Sequence, residues 1–93
     1  MIPVIFRIDN YGVFALLPTI PADVAGRYVT SYQHIGQHCG ADYSQCVRYS
    51  QPATPAQFAP LLAELQTIGY SLRVARRQSP AMRRECRRQC ATD

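Results

Sequence analysis

Thr54-Pro55-Ala56-Gln57 opens a helix that the rest of the chain must accommodate. The Thr54 hydroxyl can accept from the backbone at Gln57 while the Gln57 side chain reaches back, the reciprocal pattern of a capping box. Pro55 takes the first helical position, where its missing N–H costs nothing. Phe58, Leu61, Leu62, Leu65 and Ile68 recur at helical spacing and make one apolar stripe. Gly69 can end the helix in the left-handed conformation. The pattern predicts a helix over 55–68, its first turn tilted by Pro60. A helix with one apolar face needs an apolar layer to lie on.

The flanking segments supply that layer as strands. Ile2 to Ile8 and Val13 to Leu17 are apolar runs separated by Asp9-Asn10-Tyr11-Gly12, which is turn chemistry, so they read as a β-hairpin. Pro18 and Pro21 lack the donor a sheet ladder needs and are expected to end the second strand. Residues 23–26 read as a turn or one helical turn. Residues 27–33 are the third strand, 34–44 a loop, 45–50 a short fourth strand around Val47 and Tyr49, and 70–75 the last strand. Ser79-Pro80 repeats the cap-plus-proline signal and opens a helix over 80–90, with Met82, Cys86 and Cys90 as a thin apolar stripe. The expected fold is α+β. About five antiparallel strands in ββββαβ order are packed by one amphipathic helix, followed by a short basic helix. The body would span 1–77 and the Arg-rich helix or tail 78–93.

Charge divides the chain in the same place. The net charge is +4, and all ten basic residues are arginine. Up to residue 72, three arginines stand against four carboxylates; from 73 onward, seven stand against two. Ninety-three residues make one domain with a modest core. No apolar run approaches the roughly 18 residues of a membrane span. The first residues lack a basic region and a cleavage site, which points to the cytoplasm and to no membrane partner. The four cysteines are then expected as free thiols; Cys39-x6-Cys46 and Cys86-x3-Cys90 do not match zinc-ribbon spacing.

Both histidines fall in Ser31-Tyr32-Gln33-His34-Ile35-Gly36-Gln37-His38. Together with Val4-Ile5-Phe6-Arg7, Phe14 to Pro18, Ala41-Asp42-Tyr43, Pro52 to Pro55 and Ile68-Gly69-Tyr70, this stretch resembles a family of small proteins carried on bacterial plasmids, phages and integrative conjugative elements. The resemblance covers roughly residues 3–77. It implies a mobile-element accessory protein, a setting in which inhibitors of host defence such as anti-CRISPR proteins are common. It implies no catalytic residues.

Two candidate sites follow. Tyr32, Gln33, His34, Gln37, His38 and Tyr43 can form a recognition loop, because these side chains donate and accept. The bland alternative is that they tie the loop's own backbone together. Arg73, Arg76, Arg77, Arg83, Arg84, Arg87 and Arg88 would attract phosphates or an acidic protein face; a solvated cationic tail is the alternative. Tyr28, Tyr32, Tyr43 and Tyr49 could serve as stacking surfaces or as ordinary packing. A zinc site from His34, His38, Cys39 and Cys46 fits no recognised spacing. A Cys39 nucleophile using His34 or His38 has only Asp42 nearby to orient it. The expectation is therefore a non-enzymatic binder without cofactors, acting on nucleic acid or a nucleic-acid-bound complex. The first alternative is a stoichiometric inhibitor of a host protein complex, and the second a small His/Cys hydrolase. An open sheet edge leaves room for a homodimer.

Overall fold

The two N-terminal apolar runs pair as a long hairpin, β1 (Ile2–Asp9) with β2 (Gly12–Pro21), in register from Ile5↔Leu16 to Asp9↔Gly12. Gly12 closes it at φ +119°, a conformation that side chains rarely tolerate. The structure, a computed structural model, describes residues 1–23, 27–33 and 37–91; the side chains of Gln37, His38 and Ala91 lie outside that description, as do residues 24–26 of the expected turn. β3 (Val29–Gln33) and β4 (Gln37–Ala41) extend the sheet antiparallel beyond β2. On the far edge of β1 lie two short strands. β5 (Gln51–Pro52) runs antiparallel beside Arg7 and Ile8, and β6 (Leu72–Ala75) runs parallel beside Ile2 to Ile5. The class is α+β and the sheet is antiparallel except at β6.

Three local expectations are corrected. Pro18 and Pro21 do not end β2, which continues to Pro21. The β2–β3 register shifts between Leu17 and Pro21, and that irregularity takes up the missing donors. Within the segment expected as a loop, residues 37–41 are strand β4. Residues 43–48, placed largely in a fourth strand, are helix α1 (Tyr43–Arg48). Asp42 Oδ1 accepts from Gln45 N at 3.2 Å and caps it, a start signal that outweighs the β preference of Val47. The element order is therefore ββββαβαβα.

α2 (Pro55–Ile68) forms as the sequence requires, with both halves of the Thr54–Gln57 capping box made and Gly69 at φ +126° after its last turn. α3 (Pro80–Ala91) follows the Ser79 cap, whose Oγ accepts from Met82 N at 3.2 Å.

The sheet is covered on both faces, not on one as expected. Val4, Phe6, Ala15, Leu17 and Tyr32 pack with Leu61, Leu65 and Leu72. On the opposite face Ile5, Phe14, Leu16 and Val29 pack with Cys86 of α3, and Tyr43 and Cys46 of α1 close the margin. This explains why β1 and β2 read as unbroken apolar runs, since a strand buried on both sides has no polar face to alternate with. The radius of gyration, 12.3 Å, is close to the ~12 Å expected of a compact chain of this length. No helix among the described residues is long and apolar enough to cross a membrane.

Candidate nucleic-acid interface

Cys86 fixes the orientation of α3. It is 2% exposed against the sheet, which turns the opposite flank of the helix to solvent. At 3.6 residues per turn, Arg83, Arg87, Arg84 and Arg88 occupy one continuous flank of about 140°. All four are exposed. Arg88 pairs with Glu85 three residues back. Among the described residues, no carboxylate pairs with Arg83, Arg84 or Arg87.

Beside this flank a cleft of about 400 Å³ opens between α3, the start of β3 and the first turn of α1. Arg83 and Arg87 line one wall and Arg27 joins them from the segment before β3. Tyr43, Ser44, Asp42 and Gln78 complete it. Its frame is tied down. The backbone N–H of Gln78 donates to the Tyr43 hydroxyl at 2.6 Å, and Gln78 Nε2 donates to the Pro18 carbonyl at 2.9 Å. The one carboxylate present, Asp42, already caps α1. A second groove of about 290 Å³ over Pro80 continues the surface, and Arg84 joins Arg83 and Arg87 there. Chemically the arrangement presents forked, permanently charged donors beside a hydroxyl and an amide, which suits phosphate oxygens.

The seven arginines expected as one cluster divide into groups. Arg83, Arg84, Arg87 and Arg88 share α3. Arg73 is exposed on β6. Arg76 and Arg77 follow β6 and border a separate, largely apolar groove with Phe6, Pro52, Pro55, Phe58 and Val74. Two further arginines were not in the expected cluster. Arg27 sits in a segment that is near neutral overall, and only the fold brings it to α3. Arg48 ends α1 and lines another cleft with Asn10 and Tyr49.

The residues expected in a recognition loop also separate. Tyr32 is a core residue, 1% exposed, and its hydroxyl donates to the Glu64 carboxylate, so it presents nothing to a partner. Gln33 is exposed beside Cys39 and Cys46 at a shallow concavity. His34 lies outside the described residues, and Gln37 and His38 are described only as backbone of β4. Tyr43 belongs instead to the arginine cleft.

The four cysteines are free thiols. Burial, then Asp42 and Asp9, push the Cys46 thiol up. Burial, then Cys90 and Asp23, push Cys86 up against the opposing pull of Arg87. Both shifts add to a thiol's ordinary preference for the protonated, less nucleophilic form at neutral pH. Among the described residues no group of three or more His, Cys, Asp or Glu is placed to hold a metal ion.

Comparison with protein-family models, with curated proteins and with solved structures finds no match to this chain.

Proposed function

We propose that this protein is a non-enzymatic mobile-element accessory protein that binds nucleic acid through the arginine flank of α3 and the adjoining cleft, inside the cell that makes it. One observation carries the reading. Arg27, Arg83 and Arg87 reach one cleft from two separate parts of the chain, against a single lining carboxylate, Asp42, among the described residues. Holding like charges together is unfavourable unless a polyanion offsets them, and a phosphate backbone is the polyanion that forked arginines fit best. The rest of α3 presents these side chains, with the buried Cys86 thiol on one side and, on the other, the exposed guanidinium groups, of which Arg88 alone pairs with a carboxylate among the described residues.

The reading is tested by replacing Arg83, Arg84, Arg87 and Arg88 with Gln and titrating a labelled mixed-sequence oligonucleotide at low salt. Affinity should fall by at least about tenfold, since several phosphate contacts are lost together. The thermal midpoint should not fall, because all four side chains are exposed. Unchanged affinity would overturn the assignment. Absence of binding by the native protein, with co-elution of a host protein complex after nuclease treatment, would favour the inhibitor reading instead.

A further inference from the structure

α1 is only six residues, about 9 Å long, and it joins two different clefts. Its first turn borders the arginine cleft through Tyr43 and Ser44. Its last residue, Arg48, borders a second cleft of about 440 Å³ at the end of the hairpin, with Asn10, Tyr49 and Ser50. This second cleft has a different character. Tyr49 is 72% exposed, and Tyr11, next to Asn10 in the hairpin turn, is 92% exposed. Two aromatic rings left in water at one end of a small domain do no packing there. Tyr49 lines the cleft beside Arg48, which has no carboxylate partner among the described residues.

From this juxtaposition we infer that the hairpin-end cleft is a base-stacking subsite, and that the nucleic acid taken by the protein is single-stranded. This rests on the proposed function above. The arginines of α3 and Arg27 hold the backbone; beyond the far end of α1, Tyr49 offers a ring face to an unpaired base and Arg48 holds the adjoining phosphate. Asp9 also borders this cleft, where its Oδ1 accepts from Tyr11 N at 2.8 Å. A duplex keeps its bases stacked on each other and cannot use the tyrosines. A single strand can, and each base stacked on an aromatic ring adds about fivefold or more in affinity, with little dependence on sequence.

The test compares a labelled single strand of about 12 nucleotides with the duplex of the same sequence. It uses the native protein, Tyr49→Ala, Tyr49→Phe and Tyr11→Ala. The native protein should prefer the single strand by about tenfold. Tyr49→Ala should cost the single strand about fivefold or more and leave duplex affinity unchanged, and Tyr49→Phe should restore it. Tyr49 caps α1 through its backbone N–H and its side chain is 72% exposed, so the variant keeps its fold. The chain has no tryptophan, so its emission is tyrosine's, and quenching by the single strand should shrink in Tyr49→Ala. Equal affinity for strand and duplex, with no effect of Tyr49→Ala, would overturn the stacking subsite and leave the arginine reading in place. Binding of neither would overturn both.

Discussion

Arg7 shows how one side chain sets a local structure forty residues away. It is 8% exposed, and its guanidinium donates to Ser50 Oγ at 2.9 Å, to the Val47 carbonyl at 3.0 Å and to the Ser50 carbonyl at 2.7 Å. Those acceptors lie at the C-terminal end of α1, where the helix leaves its carbonyls unpaired and its dipole favours a cation. No ion pair to Arg7 is found among the described residues. The arrangement asks for a planar fork reaching three acceptors, so Lys is a poor substitute. Arg7→Met should lower unfolding free energy by about 2–4 kcal/mol in urea, from lost charged hydrogen bonds and orphaned carbonyls. Arg7→Lys should recover little of it. A loss within 0.5 kcal/mol of zero would show that α1 does not depend on the clamp. Nothing in the sequence marks Arg7 for this role. It is a single arginine near the end of an apolar strand, and its partners are distant in the chain.

At the scale of elements, legibility followed the range of the forces. α2 was readable residue by residue, because its cap, proline, stripe and terminal glycine all act within four positions of each other. The hairpin and α3 were readable for the same reason. α1 was not, since its Asp42 cap competes with the β preference of Val47 and its other support comes from Arg7, distant in the chain. β4 was not, since Gln37 and Gly40 are poor strand formers and only pairing with β3 orders them. The candidate site was half legible. The arginines of α3 could be found by counting, but Arg27 and the Tyr49 cleft needed the fold. The thiols of α1 and α3 report on how these helices dock. Cys46 and Cys86 have raised pKa values when folded, so the folded state keeps their protons to higher pH than the unfolded chain does. Their contribution is fully present below the ordinary thiol pKa of about 8.5 and declines as pH rises above it. The stability of the native protein should therefore fall from about pH 8.5 upward, and fall less steeply in a Cys46→Ala, Cys86→Ala double variant. Parallel pH profiles in thermal melts would mean that these thiols stay in water and the helices are not docked.

The whole molecule has a consistent polarity. α2 closes one face of the sheet with an apolar stripe and carries no arginine. The other face is closed by two helices, and beyond them lie Arg27, Arg48 and the arginine flank of α3. Six of the ten arginines therefore lie on that side of the body, where they can steer a polyanion, while Arg76 and Arg77 border the groove beside α2. The claim that unites these observations is that phosphates are bound by a handful of arginines. Its most direct measurement is the salt dependence of binding to a single-stranded oligonucleotide, followed by fluorescence anisotropy from about 50 to 200 mM salt. With about four phosphates neutralised, the logarithm of affinity should fall against the logarithm of salt with a slope of about −3, and the Gln quadruple variant should flatten it toward zero. A slope near zero in the native protein, or no binding at the lowest salt, would contradict the account.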